Sequence, residues 1–330
     1  MRIGTNPEKD KCSLLNHKQH RIIMPFWIPN VTDDYFKKQP EVLRLCLQSL
    51  IDSIDLSKTN ITLINNNSCS EASKVAEEFV EKGLIDKYVV RSENRGKLEI
   101  VLAEARAAYE DYITISDADF LFFKGWENTV AKIYTDFKRA GVVTIYPCPN
   151  LAFNHNSRWI FKSGWKCGSV LKEEDMNLVD KGLGHSPGKG IYKSLGVKKK
   201  YVWAEKQYYL EKGENRVCLG AVHALATMKR DIFKQLPFSK IEYVFKNGYE
   251  ETHLDYFSDK LGYYRLSTTQ CFAYHMGNTL PDEDVMNHAV IVDDNLVSFP
   301  AYKNRNKQTN IFLSNISKFF VRFGRKFRLV

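Results

Sequence analysis

The sequence predicts an α/β fold with a mostly parallel sheet covered by helices on both faces. Two observations carry this. Apolar runs of strand length alternate with amphipathic stretches of 11–14 residues, and the alternation holds from residue 21 to residue 146. A third sets the scale: 330 residues, 44% of them hydrophobic, suffice for one large domain or two fused halves with a substantial core.

The elements follow in order. Residues 21–26 form a short apolar strand bounded by Pro25 and Pro29, and 41–54 an amphipathic helix with Val42, Leu43, Leu47, Leu50 and Ile51 on one side. Strand 60–64, helix 71–81, strand 88–91 and the Ala-rich helix 96–109 come next. Strand 112–115 runs directly into Asp117-Ala118-Asp119. Such βαβ units imply right-handed crossovers. Helix 126–139 and strand 142–146 follow, and then periodicity weakens. Residues 148–215, rich in Gly, Lys and aromatics, predict a loop-rich insertion. Order returns with one strand over 217–228, helices at 231–235 and 250–261, and strands at 264–267 and 271–274. The organisation expected is a polar arm over 1–19, a first half over 20–120, a second over 121–290 and a tail over 303–330.

Charge is concentrated in that tail. Lys and Arg number 48 against 39 Asp and Glu, but eight of the basic residues and no acidic one lie in 303–330. The body is therefore nearly neutral. Within the tail Phe312, Ile316, Phe319, Phe320, Phe323 and Phe327 recur at helical spacing, with Lys318, Arg322, Arg325 and Lys326 mostly off that stripe. A basic amphipathic helix with an aromatic face suits an anionic membrane surface; the alternative is a terminal helix docking its Phe face on the body. Confinement of the charge argues against nucleic acid as a partner. No apolar leader, no run long enough to span a bilayer and seven scattered cysteines predict a cytoplasmic protein held peripherally at the inner face of the plasma membrane.

The chemistry lies at the end of the fourth strand. Two carboxylates at i and i+2 stand where open α/β sheets bind ligands, and hard oxygen ligands of this kind suit Mg²⁺ or Mn²⁺ bridging to phosphates. No Gly-x-Gly-x-x-Gly follows the first strand, and Gly-x-x-x-x-Gly-Lys-Ser/Thr, His-Glu-x-x-His and Gly-x-Ser-x-Gly are missing, which removes dinucleotide dehydrogenases, P-loop NTPases, zincins and α/β-hydrolases.

Four ordered pieces now coincide: Ile22-Ile23-Met24-Pro25, Ile64-Asn65-Asn66-Asn67-Ser68, Asn94-Arg95-Gly96-Lys97 and Asp117-Ala118-Asp119. Together the chain resembles family-two glycosyltransferases of the GT-A fold, a Rossmann-like architecture, well over 20–147 and again over 217–277. The resemblance implies donor contacts from Pro25, Asn65, Asn67, Asn94, Gly96, Lys97 and Asp117, and a strand beneath the donor sugar at Gly220-Ala221. It implies a metal, Mn²⁺ or Mg²⁺, on Asp117, Asp119 and a late histidine, His275. Tyr249-Glu250-Glu251-Thr252-His253-Leu254, followed by Gly262, resembles the family's base-bearing helix and puts the general base on Glu251.

The expected reaction moves one sugar, with inversion, from a nucleoside diphosphate sugar (a UDP-sugar first) to a glycan or glycolipid acceptor in cell-surface polysaccharide or glycolipid synthesis. Trp159, Trp165 and Trp203 are available to stack on sugars or to pack. Three departures stand out. Asn65 replaces the Asp that reads the uracil edge, Glu251 is one methylene longer than the usual Asp, and the Gln-x-x-Arg-Trp motif of processive synthases is absent. The rival reading, a sugar nucleotidyltransferase, lacks its Gly-Gly-x-Gly-Thr-Arg opening.

Overall fold

Alternate side chains of the first strand enter different cores, and that alternation organises the molecule. The computed structural model describes residues 3–10, 17–186, 189–236, 250–288, 290, 297–302 and 310–330. Tyr249 of the base-bearing motif and Lys303, Arg305 and Lys307 of the tail lie outside the described residues. The strands are β1 (His20–Phe26), β2 (Thr59–Asn65), β3 (Lys87–Val90), β4 (Tyr112–Ser116), β5 (Phe120–Phe122), β6 (Ala140–Thr144), β7 (Trp165–Gly168), β8 (Gln207–Lys212), β9 (Asn215–Leu219), β10 (Leu225–Lys229), β11 (Tyr264–Ser267) and β12 (Ala273–His275). The helices are α1 (Gln39–Asp52), α2 (Ser70–Glu81), α3 (Lys97–Ala107), α4 (Trp126–Asp136), α5 (Glu173–Gly182), α6 (Arg230–Gln235), α7 (Tyr256–Lys260), α8 (Glu283–Met286) and α9 (Ile311–Lys326).

Among the described residues ten strands form one sheet in the order β3-β2-β1-β4-β10-β6-β11-β9-β8-β7. The pairings of β3, β2, β1 and β4 are parallel, and β10 inserts antiparallel between β4 and β6. Seven strands (β1, β2, β3, β4, β6, β8, β11) therefore share one direction and β7, β9 and β10 oppose it. Ile22 and Met24 point into the larger core with α1, α2 and α4, while Ile23, Ile113 and Ile115 point into a second core with α3 and α6. In α1, Val42, Leu43, Cys46, Leu47 and Leu50 repeat at helical spacing and are buried, and a proline sits in its first turn.

Three sequence expectations need correction. The run 217–228 is two strands, β9 and β10, placed three positions apart in the sheet order, with β6 and β11 between them. Gly220 ends the first with φ +125°, and any Cβ there would collide with the Cys148 carbonyl oxygen, so the chain leaves the sheet at that residue. The 148–215 segment is more regular than a loop-rich insertion: it supplies β7, β8 and α5 and extends the sheet edge. Trp159 and Trp203 are buried, the former donating Nε1–H to the Ala152 carbonyl at 2.8 Å, so both pack and neither is offered to a sugar.

The tail is helical, but it docks by another face than its Phe stripe. Ser314, Ser317, Val321 and Gly324 are buried, whereas Phe312 is 72% exposed and Phe319 63%, with Phe320, Phe323 and Phe327 also exposed. Small residues at intervals of three and four let α9 lie close against the turn at Arg158–Phe161 and against α7. Among the described residues no helix is long and apolar enough to cross a membrane.

Candidate active site

Strand β4 ends at Ser116, and the two following carboxylates are reached by different neighbours. Asp117 receives the ammonium of Lys97, the first residue of α3. Gly96 precedes it with φ +74°, a conformation glycine takes without strain, and its N–H donates to Asn94 Oδ1 at 2.9 Å. Asn66 Nδ2 donates to the same Asn94 oxygen at 2.8 Å, so the ends of β2 and the 94–97 turn are laced together. A lysine and the positive end of a helix thus stand beside the first aspartate, a setting suited to a phosphate group.

Asp119 is served from the other side. The hairpin-like pair of β5 and β12 sets Phe120 opposite His275, and His275 Nε2 lies 3.2 Å from Asp119 Oδ2. His275 Nδ1 donates to the Gly182 carbonyl at 3.0 Å, which fixes the ring and turns Nε2 to the carboxylate. Its hydrogen bond to Asp119 pushes the imidazole up to about 9, against the downward pull of burial. Asp119 Oδ1 is buried and has no hydrogen-bond partner among the described residues.

Among the described residues no three His, Cys, Asp or Glu side chains gather as a complete metal site. Asp119 and His275 nonetheless fit a partial one. The orphaned carboxylate oxygen and the oriented imidazole are donors that a hard divalent cation accepts, its other ligands coming from diphosphate and water. Asp117 is turned to Lys97 instead of joining them.

Glu251 reaches this group through the loop 220–224. The Asp117 N–H donates to the Ala224 carbonyl at 3.0 Å, and the adjacent His223 contacts Asp255 Oδ2 through Nδ1 at 2.9 Å. Asp255 closes the π-helical turn Glu251–Asp255 that leads into α7, and its other oxygen lies 2.9 Å from the buried Arg265 guanidinium. Burial pushes the Asp255 carboxyl up, but Arg265 and His223 outweigh it and leave it below the usual range. Arg265 also donates to the Ala221 carbonyl at 2.6 Å, so Gly220-Ala221 is anchored from beneath. π-turns of this kind concentrate at functional sites.

Glu251 is itself held. His155 Nε2 lies 2.8 Å from Glu251 Oε1, and His155 adopts φ +45°, a left-handed conformation that is costly for a residue with a Cβ. His155 Nδ1 is buried without a hydrogen-bond partner among the described residues, so the ring's polar contact to the site runs through Nε2.

Of the residues singled out in the sequence, Asn94, Gly96, Lys97 and Asp117 come together, as do Asp119 and His275. Pro25 lies buried within β1. Asn65 is buried, its amide donating to Ser73 Oγ at 2.9 Å and Tyr88 Oη at 3.1 Å, and its carbonyl accepting from the Ser68 N–H. It is spent on the strand end. Asn67 turns the chain with φ +68°. His155, His223, Asp255 and Arg265 were given no role from sequence. The i, i+4 spacing of Glu251 and Asp255 was the signal at hand for one of them.

With this geometry in view, comparison with known proteins places the chain. The profile of glycosyl transferase family 2 matches residues 35–236, more than half of the sequence. The chain belongs to glycosyl transferase family 2. Its strand order, with an antiparallel β10 between β4 and β6, is the mixed α/β arrangement of the GT-A fold. A search of curated protein sequences finds no match. Among solved structures, it is similar to the mannosyltransferase PcManGT from Pyrobaculum calidifontis, determined with GDP-Man and Mn²⁺, at 14% identity over 77% of this chain and 55% of that one, with a TM-score of 0.41. TarS 1–349 of S. aureus matches at 10% identity over 78% of this chain and 60% of that one, TM-score 0.44. The same protein with UDP-GlcNAc gives 11% identity over 82% and 62%, also at 0.44. The chain therefore spans less than two thirds of the length of each of these.

Proposed function

We propose that this family 2 member transfers a single sugar, with inversion, from a nucleoside diphosphate sugar to an acceptor hydroxyl on a glycan or glycolipid. One observation carries the reading: the 220–224 loop touches Asp117 by its backbone and the Glu251 helix through His223 and Asp255, so the leaving-group end and the base end share one scaffold.

The diphosphate of the donor lies at the 94–97 turn, where Lys97 and the α3 N-terminus favour negative charge. A divalent ion, Mn²⁺ or Mg²⁺, held by Asp119 and His275 with Asp117 alongside, would neutralise the departing diphosphate. Glu251 takes the proton of the acceptor hydroxyl. His155 ties one carboxylate oxygen, which orients the other toward the acceptor, and a partly exposed carboxylate returns that proton to water after transfer. Attack from the side opposite the diphosphate inverts the anomeric carbon. Donors that fit the reading are UDP-sugars first, with GDP-sugars next because Asn65 does not present the family's aspartate. The 121–290 half shapes the acceptor pocket and the 20–120 half the donor pocket.

The exposed Phe stripe of α9, flanked by Lys318, Arg322 and Lys326, holds the enzyme on an anionic bilayer from the cytoplasmic side, where a lipid-linked acceptor would be met. Lys318 Nζ stands 4.5 Å from the Tyr256 ring, and Tyr256 packs edge-on against His155, so the base is two rings away from the tail.

A screen of UDP- and GDP-sugars for Mn²⁺-stimulated hydrolysis, with Glu251→Gln run beside the wild type, tests the reading. A donor cleaved with inverted anomeric configuration supports it. Retained configuration, or no nucleotide sugar turned over with or without a lipid acceptor, would overturn it.

A further inference from the structure

Beside the tail lies a cleft of about 290 Å³ whose lining includes Arg139, Arg158, Phe161, Leu313 and Ile316. Its polar side is cationic. Arg139 and Lys162 both lie 5.9 Å from the ring of Tyr264, so two positive groups stand about one aromatic ring. Arg158 donates to the Asn310 carbonyl at 3.1 Å, but its Nε is buried without a partner among the described residues. None of the three has a carboxylate within ion-pair distance among the described residues. Asp259, the acid that acts on Arg158, is fully buried and accepts from Ser157 N–H and Oγ at 2.8–3.1 Å. Burial depresses the Arg158 guanidinium, and the neighbouring Arg139 pulls the same way against Asp259, as expected of cations short of a counter-charge.

The opposite wall is apolar and open. Phe161 is 56% exposed, and Phe320 of α9 meets it edge-on at 5.6 Å, so the body residue continues the aromatic stripe of the tail. Leu313 is exposed as well. A free anion would need only the cations. A cleft lined by Arg139 and Arg158 at one end, with Lys162 near Arg139 at the Tyr264 ring, and by Phe161, Leu313 and Ile316 along the side matches a molecule with a phosphate head and a hydrocarbon chain.

We propose that this cleft binds the phosphate headgroup of an anionic membrane lipid, with its acyl chain along Phe161, Leu313 and Ile316. The proposal builds on the membrane reading of the tail and adds a discrete, saturable site to a general electrostatic attraction. It places Arg139 and Lys162 on the bilayer side of the molecule, outside the catalytic residues.

The full-length protein is titrated with monomeric short-chain phosphatidylglycerol, followed by thermal shift and calorimetry, and separately with phosphatidylcholine vesicles with and without phosphatidylglycerol. Saturable binding of the monomeric lipid, weakened at least tenfold by Arg139→Gln with Lys162→Gln and by Phe161→Ser, is the expected result. Lys318→Gln with Arg322→Gln should weaken vesicle binding and leave the monomer titration intact. Unfolding curves matching the wild type confirm that these exposed substitutions leave the fold whole. Wild-type affinity in the Arg139/Lys162 double variant overturns the proposal. So does an equal response to inorganic phosphate, which would make this a plain anion site. Saturable monomer binding without vesicle binding would sink the tail reading and leave the cleft standing.

Discussion

His155 Nε2 and Glu251 Oε1 lie 2.8 Å apart, although the two residues are 96 positions apart in the chain. The contact ties one carboxylate oxygen of Glu251 to His155, so the proposed role as base falls to the other. Glu251→Gln should lower turnover by about 10²-fold or more with donor affinity kept, since general base catalysis is worth about that much. His155→Gln, which still offers an N–H, should retain more activity than His155→Phe. Steady-state kinetics on the three variants checks this; equal loss in both His155 variants would mean that the ring packs and does not orient.

The second prediction concerns the cation. Asp119→Ala should abolish stimulation by Mn²⁺, and His275→Ala should raise the Mn²⁺ concentration needed for half-maximal activity, with the circular dichroism spectrum unchanged in both. Lys97→Met should raise the donor KM, because it removes the cation paired with Asp117 among the described residues. Full metal-stimulated activity in Asp119→Ala would refute the assignment.

Asp255 supplies a pH dependence. Its folded-state pKa lies below that of the unfolded chain, so the stability it confers is whole at neutral pH. That stability is lost as pH falls from the ordinary Asp value through the lowered one. Asp255→Asn also strands the buried Arg265, a change that costs about 3–5 kcal/mol when one partner of a buried pair is removed. Urea titrations at pH 7 and near pH 3 should show a large gap between wild type and variant at the first and a smaller gap at the second.

The tail prediction follows from which face is buried. Phe319→Ser with Phe323→Ser should abolish sedimentation with anionic vesicles while leaving the melting temperature within a few degrees, because both rings are exposed. Ser317→Leu should do the reverse, loosening α9 from the body through overpacking. A large drop in melting temperature for the Phe pair would show that the stripe is structural.

The first half of the fold was legible because each strand there is a continuous apolar run ended by a turn residue, and each helix an uninterrupted stripe. The second half was less so. Val217 to Ala226 reads as one apolar run, since Ala221, Val222 and Ala224 continue it and only Gly220 and the single His223 interrupt it. The β8–β9 hairpin turns on Gly213-Glu214 between Lys212 and Asn215, a two-residue signal that the surrounding Gly- and Lys-rich composition masks. In the site, Asp117 and Asp119 were visible from their place at a strand end, and Glu251 from the resemblance of its helix motif. The groups around Glu251 and Asp255 were not, because His155 and His223 lie far off in the chain and no local pattern ties them or Arg265 to the site. The tail's helical period was plain, but the docking face was set by serines and a glycine, which hydrophobicity does not flag.

The pairing of β5 with β12 also sets when in the life of the chain Asp119 can acquire His275. Contacts of such long sequence separation form late, after the loop between them has closed. During synthesis the 20–120 half can fold its parallel strands while the ribosome is still making the rest, yet the Asp119–His275 pair cannot exist until more than 150 further residues have emerged. A nascent or truncated chain would thus form the parallel strands and present Asp119 before His275 is there to meet it, and the pair is completed only when β12 docks on β5.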